Sequence, residues 1–111
     1  SDELEHAKAM REHTDGTLKD PNRVRSLYMA IADKPQAFHG ADGEGYRMLA
    51  ELILELDPIN AQTAARFVPP LGRWQRIEEG RAKLMREALE RIAKAPKLSR
   101  DTYEQVNRSL G

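Results

Sequence analysis

Three histidines, His6, His13 and His39, are the first residues in this chain that could do chemistry. His6 and His13 stand seven apart on one helical face, but a zinc helix needs ligands at i and i+4 with others behind them. No such set follows, and a solvent-facing pair is the plainer reading. His39 lies close to Asp42 and Glu44 in a glycine-rich stretch, where a ring hydrogen-bonded to its neighbours in a packed loop accounts for it. Ser26 and Ser99 have no base nearby in sequence, and Ser99 fits a helix cap better than a nucleophile. Gly40, Gly43 and Gly45 match neither the phosphate-loop nor the dinucleotide spacing. Trp74, between Arg73 and Arg76, could stack on a base, as in an RNA-binding helical module. Core or interface packing accounts for it as well. No complete active site is written in the sequence.

The bulk numbers agree with a well-packed domain. A chain of 111 residues makes one domain, residues 1–111, that buries roughly 65% of its unfolded surface. Hydrophobic residues are 40% and charged residues 32% of the total, a globular balance and not a disordered one. Eighteen basic residues cancel eighteen acidic ones, so no net field favours nucleic acid or an anionic membrane as partner. Twelve of the basic residues are Arg, the better side chain for gripping a carboxylate in fixed geometry. There is no Cys, hence no disulfide frame and no thiolate chemistry, which suits a cytoplasmic protein. No apolar run approaches the length of a membrane span. The start at Ser1 in a charged helical segment reads as a fragment of a larger chain.

The elements that must position any site are helical throughout. Residues 2 to 13 carry Leu4, Ala7 and Met10 on one face, ending near Asp15-Gly16. Asp20 and Pro21 open the second helix, with two arginines on its first turns. Its stripe is Val24, Leu27, Tyr28 and Ile31. Pro35 opens a short helix holding Ala37 and Phe38, and the three glycines of Gly40 to Gly45 form a loop. The segment Glu44 to Leu56 presents a wide apolar face: Tyr46, Leu49, Ala50, Leu52, Ile53 and Leu56. Asn60 caps a helix carrying Ala64, Phe67, Val68 and Leu71, which Pro69-Pro70 kinks or breaks. The longest helix is predicted from about Gln75 to Lys94. It turns Ile77, Leu84, Met85, Ala88 and Ile92 inward, with Glu79–Lys83 and Glu87–Arg91 as pairs outside. Ser99 caps a last helix with Tyr103, Val106 and Leu110 on one face.

No period-two apolar pattern persists, so no sheet is expected. Short connectors place neighbouring helices antiparallel. The expected fold is all-α: stacked antiparallel helical hairpins in an α-solenoid or superhelical arrangement of the HEAT or ARM type. The acid–proline recurrence at Asp20-Pro21, Asp33-Lys-Pro35 and Asp57-Pro58 supplies three helix starts that suit such stacking.

Several segments in continuous order carry a family resemblance. They are Thr17-Leu-Lys-Asp-Pro-Asn-Arg-Val-Arg-Ser-Leu27, Pro35-Gln-Ala-Phe-His39 and Asp42-Gly-Glu-Gly-Tyr46, then Asn60-Ala-Gln62, Ala65-Arg66 and Pro70-Leu71. Lys83-Leu-Met-Arg-Glu-Ala-Leu89, Leu98-Ser99 and Tyr103-Glu104 complete the set. Together, over about residues 17 to 110, they resemble the last domain of bacterial aminopeptidase N. Trp74 and the doubled proline at 69–70 depart from the family pattern. The resemblance implies a zinc aminopeptidase that removes single residues from peptide N-termini, preferring Ala and basic residues. Its zinc would be held by a His-Glu-x-x-His helix and a later Glu in a thermolysin-like catalytic domain upstream, its partner in the same chain. None of those motifs is present here, so the fragment has no cofactor of its own and is expected to be inactive alone. The family's last domain is a superhelical cap that encloses a chamber around the zinc and admits short or unfolded peptides.

The resemblance also implies site residues. Arg25, in Asn22-Arg-Val-Arg25, corresponds to an arginine that looks into the chamber, while Gln62 and Arg66 correspond to a second wall. An arginine fork suits a peptide carboxylate or backbone carbonyl. The alternative for both arginines is pairing with acids inside the helical stack. A rival for the whole chain is a free-standing helical interaction scaffold, since fold does not fix function. An exposed apolar patch is the feature to look for if a neighbouring domain covers part of the surface.

Overall fold

The computed structural model describes residues 2–12 and 17–111, with side chains for 4–9 and 18–111. Its helices are α1 (Asp2–Glu12), α2 (Pro21–Ala32), α3 (Pro35–Phe38), α4 (Glu44–Leu56), α5 (Ala61–Arg66), α6 (Glu79–Ala93) and α7 (Arg100–Leu110). Two 3₁₀ segments, Thr17–Lys19 and Pro69–Arg76, lie between them, and there is no strand among the described residues. This is the expected all-α stack. Chain neighbours pack in order, α1 on α2, α2 on α4, α4 on α6, α6 on α7, and α7 folds back on α5. The result is a slab of 36 × 33 × 18 Å. Its thin dimension is about two helix diameters of roughly 10 Å each.

The apolar stripes explain the layering. Val24, Leu27 and Ile31 of α2, Leu49, Leu52, Ile53 and Leu56 of α4, and Met85, Leu89 and Ile92 of α6 form one buried cluster. At the start of α4, Gly43 takes a left-handed φ of 74°. Gly45 is needed for a different reason, because a Cβ there would lie 2.4 Å from the Phe38 carbonyl oxygen. Leu4 and Ala7 of α1 are buried, and Lys8 pairs with Glu44 of α4. His6 is exposed. The inward reading of Met10, the pairing of His6 with His13, and the helix end near Asp15-Gly16 lie outside the described residues.

Only one of the three acid–proline sites starts a helix with its own carboxylate. Asp20 accepts from the Asn22 N–H at 3.0 Å. Asp33 closes α2, and Lys34, which precedes α3, makes no side-chain cap. Asp57 closes α4 and does something larger. It is 6% exposed. Its Oδ2 accepts from the Ser99 N–H at 2.7 Å, and its Oδ1 accepts from Ser99 Oγ and Thr102 Oγ1, each at 2.6 Å. Ser99 Oγ in turn accepts from the Thr102 N–H at 3.2 Å, the cap expected of it. Three donors and the positive end of α7 stabilise a carboxylate removed from water. Ser99, which reads from the sequence as a helix cap, also donates its hydroxyl to a carboxylate 42 residues away.

That hub corrects the reading of α7. With Thr102 drawn to Asp57, the buried face is Thr102 and Val106, and Tyr103, expected inward, is 47% exposed. The long helix is also shorter than expected and starts at Glu79, not Gln75. Pro69 and Pro70 have no N–H to donate into a helical ladder. The segment after them instead tightens to 3₁₀ and is pinned to α7. Trp74 Nε1–H donates to the Ser109 carbonyl at 2.9 Å, and Gly72 lies so close to Ser109 that a Cβ would meet its side chain at 2.9 Å. Glu78 then caps α6 by accepting from the Gly80 and Arg81 N–H groups at 2.8 and 3.0 Å. Glutamate is not among the preferred N-cap residues, so the sequence did not announce this start. Leu84, expected inward, is only half-buried, and Arg91 reaches across to Glu51 of α4 at 3.8 Å.

A second polar group ties α3, α4 and α6 together. His39 Nδ1 and Tyr46 Oη share a hydrogen bond of 2.6 Å, and Arg81 Nε–H donates to the His39 carbonyl at 2.7 Å. Burial lowers the His39 pKa, helped by the nearby Arg81 and Arg73 charges, while burial raises that of the Tyr46 phenol. Both shifts favour a neutral ring accepting from the phenol O–H. The ring is hydrogen-bonded as expected, but to Tyr46 of α4 and not to Asp42 or Glu44, which bond to the Glu44 N–H and to Lys8.

Two predictions follow from these groups. Asp57→Ala leaves one buried and two part-buried donors without an acceptor and should cost about 3 kcal/mol in urea denaturation, with Thr102→Val costing about 1 kcal/mol. A loss below about 1 kcal/mol for Asp57→Ala would contradict the hub. The His39 contribution has a definite sign. Its folded pKa is depressed, so the unfolded state binds more protons between the two values, and stability is lost as pH falls from the ordinary value of 6.5. Denaturation at about pH 7.5 and about pH 5 should show a steeper acid loss for the wild type than for His39→Gln. Equal losses would remove His39 from the account.

Candidate functional site

Behind each buried stripe runs a second one at the same spacing. On α2 it is Arg25, Tyr28 and Met29; on α5 and the residue after it, Thr63, Arg66 and Phe67. Residues at i, i+3 and i+4 share a helix face, so each set forms one wall. The walls are bridged where the Tyr28 and Phe67 rings stack, with centroids 4.2 Å apart and planes 13° apart. Beside that stack lies an open groove of about 580 Å³. Its apolar surface includes Tyr28, Met29, Ile59 and Phe67, and the cations lining it are Lys19, Arg25 and Arg66. Ile59 enters from the turn that follows the Asp57 hub.

Two features of the groove stand out chemically. Met29 and Ile59 are 44% and 45% exposed, and both large apolar side chains open onto it. Among the described residues, neither Arg25 nor Arg66 has an acid within ion-pairing distance. The alternative, arginines paired with acids inside the helical stack, finds no such ion pair among the described residues, although Arg66 shares a recess with Asp101 and Glu104. Burial raises the Tyr28 phenol pKa, and Arg73 opposes that shift. The wall thus keeps a neutral hydroxyl.

The structure brings two of the three expected site residues together. Gln62 lies elsewhere, in a shallow recess with Pro69, Asp101 and Glu104, and Arg66 stands on the ridge shared by both depressions. Gln62 and Arg66 are side by side as their four-residue spacing requires, but only Arg66 reaches the groove with Arg25. Met29 and Ile59 escaped the sequence reading, which followed one stripe per helix. The recurrence of the three-four spacing through Arg25, Tyr28 and Met29 was the available signal.

The remaining candidates are absorbed by packing. Trp74 is half-buried, its N–H held by Ser109 and its ring covered by the Arg86 guanidinium, 5.0 Å from the centroid. Among the described residues no three His, Cys, Asp or Glu side chains converge to hold a metal ion. No helix among them is long and apolar enough to cross a membrane.

Comparison with known proteins matches this architecture. A family model described as a domain of unknown function, DUF3458_C, with ARM repeats, matches residues 1–111. The chain is 42% identical over 111 residues to aminopeptidase N of Caulobacter vibrioides, covering 99% of this chain and 13% of that protein. It is 40% identical over 108 residues to aminopeptidase N of Escherichia coli, covering 96% of this chain and 12% of the relative. Among solved structures, the crystal structure of Legionella pneumophila aminopeptidase A in complex with aspartic acid superposes with a TM-score of 0.85 at 30% identity. That match covers 96% of this chain and 12% of the other. With its helices stacked as ARM-type hairpins, the chain belongs to the DUF3458_C family and corresponds to the C-terminal region of aminopeptidase N.

Proposed function

We propose that this chain is the C-terminal cap domain of a zinc-dependent aminopeptidase N, a fragment of a longer chain whose catalytic domain lies upstream. The observation that carries this reading is the apolar-walled groove that Arg25 and Arg66 both line, neither of them ion-paired with an acid among the described residues. In the intact enzyme the groove forms part of the chamber wall, and the slab closes over the catalytic domain. Zinc, held by the upstream domain, supplies the Lewis acid and the activated water for hydrolysis. No bond-breaking step falls to the residues of this chain. Their contribution is enclosure and positioning: Arg25 and Arg66 donate charge-assisted hydrogen bonds to peptide oxygens beyond the scissile bond, each contributing about 1.5–3 kcal/mol. Holding the far end of the peptide reduces the freedom lost when the scissile bond is aligned. Gln62, on the outer side of the ridge, takes a lesser part, at the substrate channel's edge. Peptide substrates and the catalytic domain are the partners, and the location is cytoplasmic.

Three measurements test this. The gene upstream of Ser1 should continue in frame through a His-Glu-x-x-His motif and a Glu about twenty residues later. A start codon just before Ser1 would favour the free-standing scaffold instead. The 111-residue chain alone should release no product from an alanyl arylamide, with or without added zinc. In the intact enzyme, Arg25→Ala and Arg66→Ala should lower kcat/KM for longer peptides about tenfold more than for that small arylamide. Equal losses on both substrates would count against the chamber role.

A further inference from the structure

We propose that His39 is an acid-sensitive latch: when its ring takes up a proton, the Gly40–Gly43 loop is released from the start of α6 while the helices of the slab stay folded. Few ties hold that loop. Its own turns are local, with the Gly43 N–H donating to the Gly40 carbonyl at 3.0 Å and Asp42 Oδ1 accepting from the Glu44 N–H at 3.1 Å. Its polar ties to neighbouring helices are the His39 ring on Tyr46 of α4, the His39 carbonyl on Arg81 of α6, and the Asp42 carbonyl on Arg47 Nη1 at 2.8 Å. Ala41 and Asp42 are exposed, and Gly43 is buried beside Leu84 of α6. Gly40 and Gly43 bound the loop, and glycines absorb a change of backbone angle at little steric cost. Phe38, buried with its ring 5.1 Å from that of Tyr46, is the fixed point from which the loop swings.

The ring's surroundings supply the trigger. Neutral, Nδ1 accepts the Tyr46 phenol proton at 2.6 Å. Protonated, Nδ1 is a donor, so the bond must reverse, and the phenol O–H has no other acceptor among the described residues. The charges acting on the ring are Arg81 of α6 and Arg73 of the 3₁₀ segment, both cations. The nearby acids are engaged elsewhere: Asp42 by the Glu44 N–H, Glu44 by Lys8 of α1, and Glu78 by Arg81. An imidazolium would therefore be a third cation in a part-buried site with no carboxylate to balance it. Moving out to water restores its hydration and draws the His39 carbonyl away from Arg81. Any buried neutral histidine steepens acid unfolding; this one stands at the root of a glycine loop, where local opening costs least.

The test is hydrogen exchange of the full-length protein, read by mass spectrometry on residues 39–46 and, as reference, on residues 99–106 beside the Asp57 hub. The closed ring has the lower pKa, so closure is favoured above the ordinary value of 6.5 and is lost as pH falls. Corrected for intrinsic exchange, opening of residues 39–46 should rise by up to about tenfold per pH unit between about pH 6.5 and about pH 5, with the reference unchanged. His39→Gln, uncharged throughout, should keep the loop closed at neutral pH and abolish the rise. Should that variant already leave the loop open at neutral pH, Arg81→Gln decides. With one cation fewer beside the ring, its acid-to-neutral ratio should shrink, and an undiminished ratio overturns the latch. Flat exchange in the wild type, a rise shared equally by the reference residues, or an equal rise in His39→Gln would each overturn it as well.

Discussion

At the end of α4 the carboxylate of Asp57 is withdrawn from water and held by the Ser99 backbone, the Ser99 hydroxyl and the Thr102 hydroxyl, 42 to 45 residues further along the chain. That contact joins the end of α4 to the start of α7. It fixes where α7 begins and how it is rotated. It also anchors the turn that follows, in which Ile59 and Asn60 N–H groups donate back to the Leu56 carbonyl at 2.8 Å. Asn60 then caps α5 through the Thr63 N–H at 3.1 Å. The wall that carries Arg66 is thus set by a polar hub, whereas the opposite wall, on α2, is set by apolar packing on α4. A groove built this way keeps its width without either wall packing tightly on the other. The Tyr28–Phe67 stack bridges the two walls.

The hub also explains why a buried acid is tolerated with no cation beside it. All of its partners are neutral donors, and the N-terminal turn of α7 adds the dipole of its unpaired N–H groups. A lysine or arginine in their place would bring a long, rotamer-rich side chain and a second charge to desolvate. Ser and Thr do the same work with short side chains that also start the helix. One carboxylate therefore serves as tertiary clamp and, through Ser99, as the support of a helix cap.

Most of the helices were legible because their signals are local. Asp20-Pro21, Asn60 and Ser99 begin helices as side-chain capping predicts, and the stripes of α2, α4 and α6 point inward as their periodicity predicts, except for the half-buried Tyr28 and Leu84. What the sequence concealed depends on contacts made across the chain. Asp57 reads as punctuation before Pro58 until Ser99 and Thr102 arrive beside it. Tyr103 reads as core until Thr102 is claimed by that carboxylate. The start of α6 shifted because Trp74 and Gly72 are drawn onto Ser109, a partner thirty-five residues away. At the groove, Arg25 and Arg66 came from resemblance and not from pattern. Their shared cavity is a consequence of how α2 and α5 diverge, and no spacing along the chain encodes that. Gln62, one helical turn before Arg66, shares the outer recess with it and does not line the groove.

Trp74 is the only tryptophan in the chain. Its indole N–H is bound to the last turn of α7, and the cation of Arg86 lies over its ring. Both influences act on the excited state of the indole, the first by hydrogen bonding at nitrogen and the second by the field across the ring plane. The emission of this one fluorophore is consequently a spectroscopic gauge of how the final helix is seated against the 3₁₀ segment, built into the domain without any added label.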